Sequence, residues 1–330
     1  MKIVICDYRA DLARDLAYEE TLLKNALPGV EIVVYEYRDD KADLIRTVAD
    51  ADAVINTYVQ FDREVFAGAK KLRCIALNAV GYNMVDVAAA TEHGVWVCPA
   101  AEYCTTEVAE HALALIFALG RGLRKYIDDV EHHIWNYMGA GEIERISGKT
   151  IAIFGFGKIG KAMAEKCQAL GLRVLVVSQS LTEEKAAALG VKKVDWGYAF
   201  EHADILSNHM ALKPETHAYF NREKFERAQR RPFFINTGRG DSVVEDDLVD
   251  ALDRGLLRGA GLDVLSSENV DFSKLKLLGR DNVIITPHAG FYSVQAARDL
   301  QDISCAAVIG ALTGRPERIS KIVNQKELGL

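Results

Sequence analysis

Short apolar runs rich in β-branched residues alternate along the whole chain with longer stretches whose apolar residues recur at helical spacing. The runs read KIVIC, EIVVYEY, DAVINT, LRCIALN and VWVC, and later TIAIFGFG, LRVLVVS, ADILSN, PFFINT, GAGLDV and NVIITPH. This rhythm predicts βαβ units, and therefore parallel sheets covered by helices on both faces, an α/β class of doubly wound type. Residues 105–133, TTEVAEHALALIFALGRGLRKYIDDVEHH, predict a long helix between VWVC and TIAIFGFG. Thr and Glu at its start suit a helix N-terminus, and Gly120 and Gly122 mark where it bends or divides.

A chain of 330 residues exceeds what one hydrophobic core usually supports, which predicts two domains. On spacing alone the first boundary falls near Gly148, just before the strand TIAIF. A formal charge of -7 provides no basic field for nucleic acid or an anionic membrane. The longest apolar stretch, ALALIFALG, is too short to span a bilayer, and the opening MKIVICDYRAD turns acidic and polar at once, which predicts no signal peptide and no membrane partner. The six cysteines lack a C-x-x-C pair, which predicts reduced, core-packed thiols and a cytoplasmic location. No H-E-x-x-H or Cys/His cluster appears among the histidines at 93, 111, 132, 133, 202 and 217, so no metal is predicted.

The stretch TIAIFGFGKIGKAMAEKCQALGLRVLVVSQS carries the most chemistry. Gly155, Gly157 and Gly160 form G-x-G-x-x-G directly after an apolar strand and at the opening of a helix, with a second strand following. The first glycine permits the tight turn, the second lets backbone amides approach a pyrophosphate, and the third packs helix on strand; the helix N-terminus then attracts the anion. This context predicts a dinucleotide site. One element departs: Ser178 stands 23 residues after Gly155, where a carboxylate is expected to hold the adenosine ribose. Without that charge NADP is not repelled, yet no arginine stands beside Ser178 to hold a 2′-phosphate, so NAD is expected and NADP stays open.

Further along, INTGRG sets Arg239 between two glycines, GAGLDVLSSEN brings Asp263 and Glu268, and NVIITPHAGFYS brings His288. The glycines permit a tight or positive-φ turn with close approach to a ligand, and the guanidinium offers a rigid fork for a carboxylate; taken alone, the stretch reads first as a turn with a solvated arginine. Each of these residues sits where an apolar strand gives way to a loop, the edge at which open parallel sheets bind ligands. Together they supply a carboxylate clamp, a proton donor and a group to keep the donor protonated, the parts needed for hydride transfer to a 2-oxo acid.

Over nearly its full length, through VGYNMVD, VAEHALAL, GFGKIG, ADILSNHMALKPET, INTGRG, GAGLDV and PHAGFY, the chain resembles the D-isomer-specific 2-hydroxyacid dehydrogenases. HAGFYS and EYCTTEVAEHA make it most similar to their D-lactate and D-2-hydroxyisocaproate dehydrogenase branch. The resemblance implies a Rossmann-type cofactor domain over residues 99–292, because the long helix belongs with that domain and its dimer interface, and a flavodoxin-like substrate domain over 1–98 plus 293–330. It implies an enzyme in which Arg239 grips the substrate carboxylate, His288 is the general acid and base, and Glu268 is the partner of His288. It assigns Gly155, Gly157, Lys158, Ile159, Gly160, Ser178, Thr106, His209, Thr237 and Asp263 to the cofactor, with Asp263 near the nicotinamide carboxamide. Val80 and Gly81 are assigned to the substrate carboxylate, and Tyr103 and Phe291 to the side-chain pocket. A homodimer is the family default. Ala211, Asn269 and Met84 depart from residues usual in the family, at the cofactor rim and the pocket. Two alternatives stand beside this reading: an NADP-preferring glyoxylate or hydroxypyruvate reductase, and a dinucleotide-sensing protein like the C-terminal-binding corepressors.

Overall fold

The structure, a computed structural model, describes residues 1–267 and 270–330. It comprises two compact units, Met1–Tyr103 with Ser293–Leu330, and Cys104–Tyr292.

In the first unit β1 (Lys2–Asp7), β2 (Glu31–Glu36), β3 (Ala53–Asn56), β4 (Cys74–Leu77) and β5 (Trp96–Pro99) form a wholly parallel sheet in the order β2-β1-β3-β4-β5, the flavodoxin-like order. Successive side chains on a strand point to opposite faces, so a strand covered on both sides must be apolar throughout. In β1, Ile3 and Ile5 join Ala53, Ile55, Leu23 and Val308 on one face, while Val4 and Cys6 join Val54, Leu44 and Phe66 on the other. The helix Val294–Thr313 returns the end of the chain to this sheet, packing on β3 and β4 and on the helix Leu16–Ala26. A buried polar chain joins them. Asp7 accepts from Thr57 N, Tyr58 N, Thr57 Oγ1 and Arg14; Arg14 reaches Glu19 at 2.7 Å, and Gln301 Nε2 donates to Glu19 at 3.2 Å. Burial raises the Asp7 pKa above the usual carboxylate range, opposed by the Thr57 hydrogen bond and the Arg14 charge.

In the second unit β6 (Thr150–Phe154), β7 (Arg173–Val177), β8 (Lys192–Lys193), β9 (Ile205–Asn208), β10 (Phe233–Asn236), β11 (Gly259–Leu262) and β12 (Val283–Ile285) form a parallel sheet ordered β12-β11-β10-β9-β6-β7-β8. This is the Rossmann order with one strand added, and it reverses between β6 and β9. Eleven strands coincide with the apolar runs. The exception, β8, is two lysines at the sheet edge, where pairing to Leu175 and Val176 makes a strand without any apolar signal. The long helical segment is two helices, Thr105–Gly120 and Leu123–Glu131, because Gly122 takes φ +61°. The first of them packs on β10 and β11, which is why the unit begins at Cys104 rather than near Gly148.

One face of this sheet carries an aromatic core. The Phe220 ring lies 4.9–6.3 Å from those of Phe154, Phe200, Tyr219 and Phe234 and is fully buried. The opposite face is aliphatic, with Ile151, Ile153, Ile205 and Ile235 against Ala112, Leu115, Ile116 and Met163. No described helix is long and apolar enough to cross a membrane. All six cysteines are free thiols, five of them buried and Cys104 half-buried.

Removing Phe220 leaves a cavity ringed by aromatics that cannot collapse together, so Phe220→Ala should cost about 3–5 kcal/mol. Denaturant unfolding followed by aromatic circular dichroism measures this; a loss under about 1 kcal/mol would show that the cluster does not carry the core of the second unit.

Candidate active site

Because the second sheet is wholly parallel, all its strands end on one edge. Gly155 follows β6, Ser178 follows β7, His209 follows β9, Thr237 and Arg239 follow β10, Asp263 follows β11 and His288 lies just past β12.

At the switch point Gly155 takes φ +89°, and a Cβ there would lie 2.8–2.9 Å from the backbone of His209 and Met210. Only glycine fits this crossing. Its N–H donates to Val177 O at 3.0 Å, and His209 N donates to Phe154 O at 2.8 Å, which ties together the ends of three strands. Gly157 stands at the N-cap of the helix Lys158–Ala169 with no side-chain cap, and its backbone faces open space. A Cβ on Gly160 would overlap the Gly155 carbonyl, so that position lets the helix sit directly on the turn. An open, uncapped helix N-terminus of this kind fits a pyrophosphate, with Lys158 and Ile159 in its first turn. Ser178 is half-buried at the end of β7, its Oγ 3.2 Å from Ser180 Oγ. Thr106 is exposed in the first turn of Thr105–Gly120.

The arginine turn is braced from beneath. Asn208 Nδ2 donates to Asn236 Oδ1 at 2.9 Å and to Ser242 Oγ at 2.8 Å; Asn236 Nδ2 donates to Arg239 O at 3.0 Å, and Ser242 Oγ donates to the same carbonyl at 2.6 Å. All three side chains are buried. Arg239 is exposed on extended backbone (φ -142°, ψ 141°), its NH1 donating to Gly238 O at 2.7 Å, and no carboxylate among the described residues pairs with it. Neither neighbouring glycine takes a positive φ. They serve close packing of the chain on itself: a Cβ on Gly240 would overlap Leu265 O, and one on Gly238 would lie 3.0 Å from Asn208 Nδ2. Of the two conformations expected for this stretch, the turn is the tight one and not the positive-φ one.

His209 Nε2 lies 2.8 Å from Ser207 Oγ, and its Nδ1 is 3.5 Å from Thr237 Oγ1. Burial lowers its pKa to about 4, so the ring is neutral near pH 7. Asp263 is buried. Its carboxylate accepts from Thr286 Oγ1 at 2.6 Å, Ala289 N at 2.9 Å and Gly290 N at 2.8 Å, with His111 Nε2 at 3.3 Å. Burial opposes its ionisation, but the hydrogen bonds from His111, Thr286, Gly290 and Ala289 together hold its pKa below the usual carboxylate range. His288, half-buried, takes φ +52°, and its ring lies edge-on to Phe291 at 6.2 Å between centroids.

The second unit thus brings Gly155, Ser178, His209, Thr237, Arg239, Asp263, His288 and Phe291 to one edge. Val80, Gly81 and Tyr103 belong to the first unit; Val80 is 39% exposed beyond the end of β4, and nothing lies within 4 Å of the Gly81 Cβ direction. Glu268 and Asn269 lie outside the described residues. The reading by motif missed Asn208, Asn236 and Ser242, although a polar residue closing an apolar strand, as in ADILSN and PFFIN, is a visible signal. It also passed over His111, which no spacing rule singles out.

Residues 113–290 match the family profile described as "D-isomer specific 2-hydroxyacid dehydrogenase, NAD binding domain". The chain is 35% identical over 277 residues to D-3-phosphoglycerate dehydrogenase 2, chloroplastic, of Arabidopsis thaliana, a match covering 82% of this chain and 44% of that protein. It therefore spans about half the length of the phosphoglycerate dehydrogenases it matches. With the hydroxypyruvate reductase of Blautia hydrogenotrophica it shares 31% identity over 304 residues, 88% of this chain and 91% of that one. The crystal structure of the TT0316 protein from Thermus thermophilus superposes with a TM-score of 0.86 at 29% identity, covering 98% of this chain and 100% of that one. The glycine cradle and the loop that presents His288 both fall inside the profile, and the likeness to the reductase runs nearly end to end on both proteins: this chain belongs to the D-isomer-specific 2-hydroxyacid dehydrogenase family.

Proposed function

We propose that this protein reversibly transfers hydride between a nicotinamide cofactor and a 2-oxo acid or (R)-2-hydroxy acid. The observation that carries this reading is Arg239: an exposed guanidinium on a turn braced by three buried polar side chains, on the same sheet edge as the glycine cradle and His288. When bound, the cofactor supplies or accepts the hydride. The backbone from Gly155 to Gly160 would hold its pyrophosphate, Ser178 its adenosine ribose, and Thr106, His209, Thr237 and Asp263 would lie toward its nicotinamide. Arg239 grips the substrate carboxylate through two parallel N–H bonds and polarises the carbonyl. His288 donates a proton to the carbonyl oxygen in reduction and removes it in oxidation, with Glu268 as its partner. Phe291, beside His288, contacts the substrate side chain.

The relatives named hydroxypyruvate reductase and glyoxylate reductase support short, polar 2-oxo acids as the substrate class. Ser178 in place of an acid supports use of NADPH as well as NADH. We further propose a cytoplasmic homodimer. Six free thiols support the location. Supporting the dimer, Leu123, Ile127 and Val130 form an exposed stripe on the helix Leu123–Glu131, and Ile134, Trp135 at 93% and Tyr137 at 83% exposure follow it, apolar surface that a second copy would cover.

Initial rates with NADH and NADPH across glyoxylate, hydroxypyruvate, pyruvate and 2-oxoisocaproate test the substrate class. Arg239→Ala should lower kcat/KM by about 10²–10³-fold, and His288→Ala should lower kcat by about 10²–10⁴-fold while NADH affinity changes little. A near-wild-type rate in either variant refutes the assignment. In sedimentation experiments the native chain should run as a dimer and Ile127→Asp as a monomer; a monomeric native chain refutes the interface. Neutral His209 predicts a histidine ring resonance that moves little between pH 6 and pH 8 and titrates at about 4. Because the unfolded ring binds its proton near pH 6.5, this site makes the fold less stable as pH falls from about 6.5 to about 4.

A further inference from the structure

The helix Thr105–Gly120 carries VAEHALAL, and the proposed chemistry leaves its histidine unused. His111 reaches from this helix to the end of the neighbouring strands. Its Nε2 lies 2.8 Å from Thr286 Oγ1 and 3.3 Å from Asp263 Oδ1, while the Thr286 hydroxyl lies 2.6 Å from the same Oδ1. An ionised carboxylate only accepts, so the one hydroxyl proton of Thr286 goes to Asp263, and Thr286 Oγ1 is left to accept from the imidazole. The proton of His111 must therefore sit on Nε2.

Asp263 passes this order on to the loop. Its Oδ1 takes the Ala289 N–H, its Oδ2 takes the Gly290 N–H, and its main-chain carbonyl takes the His288 N–H at 2.9 Å. Gly290 is packed so closely that a Cβ there would lie 2.8 Å from Oδ2. Between these anchors His288 is held at φ +52°, a left-handed conformation uncommon for a residue with a side chain. Loosening the anchors would let His288 relax toward ordinary backbone and swing its ring off the substrate, and misplacement by about 1 Å is enough to cost about 100-fold in rate.

We propose that His111 is a positioning residue for the reaction: through Thr286 and Asp263 it holds residues 286–290 in the conformation that presents His288. The inference rests on His288 being the acid and base, as proposed above. Asp263 then also supports the catalytic loop, and the helix behind the sheet takes part in setting the proton donor.

The test compares His111→Phe, which fills similar space and cannot donate, with His111→Gln, which keeps a donor. His111→Phe should lower kcat about tenfold or more, leave NADH affinity within about threefold, and speed amide exchange at Ala289 and Gly290; His111→Gln should recover most of kcat and of the exchange protection. A folded His111→Phe with native kcat, or Phe and Gln variants that lose kcat alike with unchanged exchange at Ala289 and Gly290, overturns the proposal. Should His111→Phe not fold, Thr286→Val interrupts the same chain without touching the helix and should show the same loss of kcat and of protection; native kcat in that variant overturns it equally. His288→Ala, assayed in parallel, separates the two readings: if it retains activity, the assignment of His288 fails and the positioning role falls with it, whereas an inactive His288→Ala beside an unaffected His111→Phe refutes only the role of His111.

Discussion

A wholly parallel sheet points every strand end the same way, so the polar groups that close the strands have to satisfy one another at a single edge. In the second unit Asn208, Asn236 and Ser242 bind together the ends of β9 and β10 and the turn beyond, and Asp263 collects the loop beyond β12. The first unit solves the same problem at its own edge: Asp7, closing β1, takes two backbone N–H groups and a hydroxyl from the residues after β3. Buried polar groups left unpaired would cost more than the hydrogen bonds contribute, so these networks specify one arrangement of the loops rather than merely adding stability. The candidate chemistry stands on that arrangement.

Charge at the second edge follows from burial. His209 is neutral because its ring gives up water without gaining a carboxylate, whereas Asp263 remains ionised because several donors converge on it. Arg239 is exposed, its guanidinium held by its own main chain and paired with no carboxylate among the described residues. The edge therefore offers a carboxylic acid a fixed positive group without a competing acid against it among the described residues.

Much of the fold was legible in the residues, because strands buried on both faces are apolar throughout and announce themselves. TIAIF and PFFIN became β6 and β10 for this reason, and the tight turn expected at Gly155 is made with φ +89°. β8 escaped because an edge strand of two lysines owes its existence to its neighbour. At INTGRG the residues pointed to a tight turn, but why glycine is needed depends on Leu265, which is distant in sequence and adjacent in space.

The sequence by itself determined the class of fold, the parallel sheets and the glycine loop between strand and helix, since these depend on local periodicity and on spacing within one βαβ unit. Only the tertiary structure decided which groups share a hydrogen bond: that Asp263 takes the N–H groups of the His288 loop, that Asn208 joins Asn236 to Ser242 beneath Arg239, and that His111 reaches Thr286 across 175 residues. Such pairings depend on strand order, and strand order is set by how whole layers pack rather than by any stretch of the chain read alone.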